Sequence, residues 1–101
     1  MSSPEVTIYT GHRCAYCNAA KKMLDSKGVA YNEINIHEDS AKAEEMVERT
    51  KRQTVPQIFI GDTHVGGFDD MAELNTEGKL DDLLKLNDWR IPYELFRESL
   101  I

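Results

Sequence analysis

Hydrophobic residues fall along this chain in two rhythms. Val6-Thr-Ile-Tyr9 alternates in β-branched and aromatic residues, which predicts a first strand over about 5–10. From Cys14 to Lys27 good helix formers dominate. Cys17, Ala20 and Leu24 recur there at i, i+3 and i+7, and Gly28 stands at the stop. Val29 to Ile36 reads as a second strand. Asp39 or Ser40 can cap a second helix with Ala43, Met46, Val47 and Thr50 on one face. Gln57-Ile-Phe-Ile60, the turn Gly61-Asp62 and Thr63-His-Val65 then form a hairpin. Asp69 and Asp70 open a third helix to about Asn75, acids lying where the helix dipole favours them, and a short helix follows from Leu80 to Leu86.

The resulting order is β-α-β-α-β-β-α. Its first βαβ unit should be parallel and the hairpin antiparallel, giving one α/β domain over residues 1–86 with a mixed four-stranded sheet flanked by helices. Residues 87–101, NDWRIPYELFRESLI, stand apart as a C-terminal extension. Tyr93, Phe96, Leu100 and Ile101 recur there at helical spacing, as in a helix that covers an apolar patch or docks a partner.

Composition narrows the class. With 101 residues, 41% apolar and 30% charged, the chain has the makeup of a single globular domain. It has no apolar run of the roughly 18 residues that span a bilayer. The opening MSSPEVTIYT lacks the charged and apolar regions of a signal peptide, so the expected location is cytoplasmic, where thiols stay reduced. The net charge of −6 arises wholly in residues 53–101, where four Lys/Arg face ten Asp/Glu, while residues 1–52 carry eight of each. Such a surface disfavours nucleic acid and anionic membrane as partners. An anionic ligand would need a local feature to hold it.

The candidate chemistry sits in Gly11-His-Arg-Cys-Ala-Tyr-Cys17, which contains both cysteines. A stapling disulfide, half of a zinc site and a redox pair compete. A bridge between near neighbours removes little chain entropy. A structural zinc needs four ligands, and only the scattered His12, His37 and His64 could supplement the thiols. Cys-x-x-Cys at a helix start within a βαβ pattern suits redox exchange best. At the first turn, unpaired N–H groups and the positive dipole end favour a Cys14 thiolate, and Arg13 adds a charge beside it. Cys17 falls on the buried face, in reserve. A thiol of pKa about 8.5 is only about 3% ionised at pH 7, and lowering it to about 5 raises the thiolate roughly thirty-fold. Lost nucleophilicity offsets most of that gain in attack, so the advantage lies in departure, because a low-pKa sulfur leaves readily.

Two further segments complete the pattern: Thr54-Val55-Pro56 before the third strand, and Gly66-Gly67-Phe68-Asp69-Asp70 running into the third helix. Taken alone, a turn proline and helix-capping acids explain them. Taken with the cysteines, the series IYT–CAYC–KGV–TVPQIFIGDTHVGGFDD–L strongly resembles the small dithiol glutaredoxins of the bacterial type, over about residues 5–86.

That resemblance implies a thioredoxin fold, glutathione as the reducing co-substrate, disulfide-containing or glutathionylated proteins as partners, a monomer, and no metal. Cys14 matches the nucleophile and Cys17 the resolving thiol. Tyr16 matches the aromatic bordering the glutathione groove. Thr54, Val55 and Pro56 match the loop with the family's cis-proline, where Val55 offers backbone N–H and C=O to the cysteinyl part of glutathione. Gly67, Phe68 and Asp69 match the turn whose amides hold the γ-glutamyl carboxylate, with Asp69 or Asp70 near its ammonium. Arg52 matches a basic position able to face the glycyl carboxylate. Two positions depart from the family. Ala15 replaces the usual proline after the first cysteine, and Gly11 replaces a basic residue, leaving His12 or Arg13 to substitute. Some glutaredoxins without that proline resemble iron–sulfur carriers, in which two chains and two glutathiones hold a [2Fe–2S] cluster. That is the alternative function, and Tyr16, Cys17 and the absence of a CGFS motif weigh against it.

Overall fold

A computed structural model describes residues 4–86; the predicted helix within 87–101 lies outside the described residues. The elements are β1 (Val6–Thr10), α1 (Ala15–Ser26), β2 (Asn32–Asn35), α2 (Ser40–Thr50), β3 (Gln57–Ile60), β4 (Thr63–Gly66), α3 (Phe68–Thr76) and α4 (Lys79–Leu83). The sheet order is β2-β1-β3-β4. β1 and β2 run parallel, while β1–β3 and β3–β4 are antiparallel, as the element order predicts.

Strand alternation divides the core between two faces. Val6 and Ile8 of β1 and Ile58 and Ile60 of β3 face Ala20 and Leu24 of α1, Met71 of α3, and Leu80 and Leu84. Tyr9 and Phe59 point the other way and pack with Met46 of α2. β3 is buried at every position because helices cover both its faces. The predicted buried face of α1 is realised in Cys17, Ala20 and Leu24. On α2, Met46 and Thr50 are buried and Val47 packs beside them, with Asp39 as the cap, its carboxylate accepting from the Ala41 and Lys42 amides.

β2 begins at Asn32, three residues later than the pattern predicts from Val29. The cause is the end of α1. Gly28 takes φ +71°, its N–H reaches Asp25 O at 3.0 Å, and Val29 N–H reaches Leu24 O at 3.1 Å. This paired closure ties Val29 to the helix, where its side chain packs on the Leu24 cluster. An apolar residue that reads as strand thus belongs to a helix cap.

Candidate active site

The carboxyl end of β1 delivers the chain through Gly11–Arg13 to the start of α1. Arg13 adopts φ +54°, an uncommon left-handed conformation for a residue with a side chain, immediately before Cys14. Cys14 is the N-cap in extended conformation, and its sulfur accepts the Cys17 N–H at 3.1 Å. A sulfur thus occupies the position usually given to a serine or aspartate oxygen, aimed at the helix's open donors. Cys14 and Cys17 are joined as a disulfide, with their Cα atoms 5.2 Å apart. Cys17 is 1% exposed, whereas Cys14 is half-buried at the surface. The asymmetry expected from helical spacing is present.

A cleft of about 260 Å³ is reached from Cys14 through the Val55 carbonyl, Cys14 not being one of its lining residues. The Cys14 sulfur lies 3.8 Å from Val55 O, and Val55 is part of the cleft wall. Thr54, Val55 and Pro56 form that wall, with the Val55–Pro56 bond cis. Tyr16, 63% exposed, and Phe68 close one end as stacked rings with centroids 6.2 Å apart. Gly67, Asp69 and Asp70 continue the lining from Phe68, and Arg52 completes it. Nine of the residues singled out from the sequence therefore meet in one depression: Tyr16, Arg52, Thr54, Val55, Pro56, Gly67, Phe68, Asp69 and Asp70. Arg13 is exposed and is not among the lining residues, although it adjoins Cys14.

Local geometry shapes the acidic side. At the start of α3, the Asp70 carboxylate accepts the Gly67 N–H at 2.9 Å and pairs with Arg52 at 3.2 Å. The Gly67 N–H and then Arg52 hold the Asp70 carboxyl below its usual range, against an opposing effect of burial. Gly67 has no side chain to return the bond, so only half of a reciprocal cap forms. Gly66 is required at φ +115°, where a Cβ would also collide with the Asp70 carboxylate. The first amides of α3 have no acceptor within the helix and face the same end as the cleft residues Phe68 and Asp69, a disposition suited to a carboxylate.

Two features were not read from the sequence. Gln57 lines the cleft although it is 1% exposed and sits at the first position of β3. A glutamine on an otherwise apolar strand was the available signal. Gly11 is explained by His37: a Cβ on residue 11 would stand 2.8 Å from the His37 ring, and His37 Nδ1 accepts the His12 N–H at 2.7 Å. The ring of a distant loop fills the space of the missing side chain. Among the described residues, no group of three or more His, Cys, Asp or Glu is placed to hold a metal ion.

Comparison with known proteins agrees with this geometry. Residues 6–65 match the family model described as Glutaredoxin. The chain is 52% identical over 80 residues to Glutaredoxin 3 of Escherichia coli strain K12, covering 79% of this chain and 96% of that protein. It is 48% identical over 80 residues to a glutaredoxin of Neisseria meningitidis serogroup A, covering 78% and 94%. Among solved structures, a Brucella melitensis glutaredoxin superimposes with a TM-score of 0.75 at 50% identity, over 84% of this chain and 92% of that one. A buckwheat glutaredoxin–glutathione complex gives a TM-score of 0.75 at 31% identity, over 82% and 77%. The architecture is the thioredoxin fold, the cysteine pair is a redox-active disulfide, and the chain belongs to the glutaredoxin family of thiol oxidoreductases.

Proposed function

We propose that this chain is a glutathione-dependent thiol–disulfide oxidoreductase that reduces glutathione mixed disulfides and protein disulfides. The observation that carries the reading is a surface sulfur at a helix N-cap, backed by a buried second sulfur and 3.8 Å from Val55 O in the wall of a cleft lined by both charge signs. The glutathione complex of the buckwheat relative supports the choice of thiol.

The Cys14 thiolate attacks the glutathionyl sulfur of a mixed disulfide. A Cys14–glutathione disulfide forms and the protein thiolate leaves. A second glutathione thiolate attacks that glutathionyl sulfur, releasing oxidised glutathione and restoring the Cys14 thiolate. With a protein disulfide, the Cys14 thiolate attacks one substrate sulfur, the substrate S–S bond breaks, and the other sulfur leaves as a thiolate. Cys17 then loses its proton and attacks the Cys14 sulfur, expelling the substrate sulfur bonded to it as a thiolate and closing the disulfide seen here; two glutathiones reopen it and leave as oxidised glutathione. In this pose Val55 pairs with the cysteinyl backbone, the first amides of α3 take the γ-glutamyl carboxylate, Asp69 or Asp70 meets the ammonium, and Arg52 faces the glycyl carboxylate.

Paired variants test the roles. Cys14→Ser should abolish turnover of a glutathionylated peptide, whereas Cys17→Ser should retain it and lose reduction of a protein disulfide. Retained activity in Cys14→Ser would refute the assignment. Purification without oxygen adds a second readout: a colourless, active monomer agrees with the enzyme, and a brown dimer requiring glutathione would favour the cluster carrier.

A further inference from the structure

Behind the cleft wall lies a polar chain that the exchange chemistry does not use. Gln57 is buried where β3 begins, directly after the cis Val55–Pro56 bond. Its Nε2 donates to Thr54 O at 3.0 Å and to Thr54 Oγ1 at 3.2 Å. Both amide hydrogens are therefore committed to the cleft loop. Its Oε1 faces His64 Nε2 on the neighbouring strand β4 at 2.8 Å. An amide oxygen only accepts, so His64 must carry its proton on Nε2. The imidazole stacks on Phe59, with ring centroids 4.9 Å apart and planes 26° from parallel. Arg52, Asp70 and Arg49 face it electrostatically. Burial, followed by the Arg52 charge, keeps its pKa below the ordinary histidine value, Asp70 opposing and Arg49 adding to the decrease. The ring is accordingly neutral at neutral pH, the state in which one nitrogen donates and the other does not.

The direction of these bonds matters. A side-chain amide can turn over, exchanging its oxygen for its NH2. Turned over, Gln57 would present an oxygen to Thr54 O, opposing two acceptors, whereas a neutral imidazole could adapt by moving its proton to Nδ1. The Thr54 carbonyl therefore selects the orientation in which the Gln57 NH2 grips it, and His64 answers as the Nε2–H donor that holds the amide's other end. Thr54 precedes the residue whose backbone faces Cys14.

We propose that Gln57 and His64 are positioning residues for the thiol-binding cleft: the Gln57 NH2 pins Thr54, the His64 Nε2–H holds the other end of the same amide, and together they fix the backbone of Val55 against its ligand. This rests on the glutathione reading above, because the pinned loop is the wall assigned to the tripeptide backbone. The two residues touch no reacting atom. Their effect is on how well the loop is held before the ligand arrives, so it belongs in apparent affinity more than in the sulfur exchange.

The test compares His64→Phe, which keeps a stacking ring but has no N–H, with His64→Gln, whose amide can place an N–H at similar reach. Glutathione-dependent turnover of a glutathionylated peptide is measured while glutathione is varied, alongside thermal unfolding. Loss of one neutral hydrogen bond corresponds to about a fivefold change. His64→Phe should raise the KM for glutathione by about that factor with kcat within about twofold, and His64→Gln should recover most of it. A KM unchanged in His64→Phe, or raised equally in both variants, overturns the proposal. Gln57→Met, of similar size and without an amide, should reproduce the KM effect, and an unchanged KM there also overturns it. Nitrogen NMR of the His64 ring gives a readout independent of activity: a proton on Nε2 is expected, and one on Nδ1 alone refutes the holding role. Wild-type protein that fails to turn over with glutathione would instead overturn the functional reading, and this inference with it.

Discussion

The Asp70 carboxylate links two parts of the cleft that are far apart in sequence. It accepts from the Gly67 amide and pairs with Arg52, so the start of α3 and the loop after α2 are set by one side chain. Its pKa is depressed in the folded chain, chiefly by the Gly67 N–H. A depressed carboxyl stabilises the fold above its ordinary value of 3.8 and loses that contribution as the pH falls through the lower folded value. The side chain is 45% exposed, so solvent screening limits the ion pair, and the expected cost of Asp70→Ala at pH 7 is about 1 kcal/mol, mostly the lost helix cap. Urea unfolding of both proteins at pH 7 and pH 3 checks this: the gap between them should shrink in acid. A gap of equal size at both pH values would assign the role of Asp70 to packing instead of charge. The same region shows what residue-level reading reaches. The spacing of Gly-Gly-Phe-Asp-Asp points to a helix start that favours anions, but the partnership of Arg52 with Asp70 spans 18 residues and leaves no local trace.

At the level of elements, the two helix ends make opposite predictions. α1 closes through Gly28 at φ +71°, with open space around a would-be Cβ, so Gly28→Ala should cost about 1 kcal/mol through backbone strain alone. α2 closes through Lys51 at φ +60°, whose N–H reaches Val47 O at 2.7 Å. The same left-handed conformation is there imposed on a residue with a side chain, and Lys51→Gly should raise stability by about 0.5–1 kcal/mol. Thermal unfolding of the two variants should shift in opposite senses, and a shared sign would refute the strain argument. These ends also show where sequence reading stops. The period of two in β1 and the i, i+3, i+7 face of α1 follow directly from side-chain chemistry, so the number, type and order of elements are legible. Gly28 is legible as a stop because glycine suits that conformation. Lys51 gives no comparable signal, and Val29 misleads because an apolar side chain serves a helix cap as well as it serves a strand. For the cleft, the Thr-Val-Pro loop and Gly67–Asp70 are legible through resemblance, while Gln57 and His37 act through contacts that only folding creates.

Over the whole molecule, charge is distributed so that the second half carries the entire excess of acid. Asp69 and Asp70 bring part of it to the rim of the cleft, in the first turn of α3. Long-range attraction should therefore favour basic substrates. For a glutathionylated peptide with lysines beside the modified cysteine, kcat/KM should fall several-fold as salt rises from about 0.01 M to about 0.5 M, because the screening length contracts from about 30 Å to a few Å. An acidic peptide should show the opposite trend, and identical salt profiles for both would refute electrostatic steering. Among the described residues no helix is long and apolar enough to cross a membrane. The unequal exposure of the two sulfurs also has a practical consequence at this scale, since the chain contains only these two. After mild reduction, an alkylating reagent too large to enter the interior meets a single nucleophile per molecule. The protein thereby carries its own site for attaching one dye or cross-linker, at the start of α1.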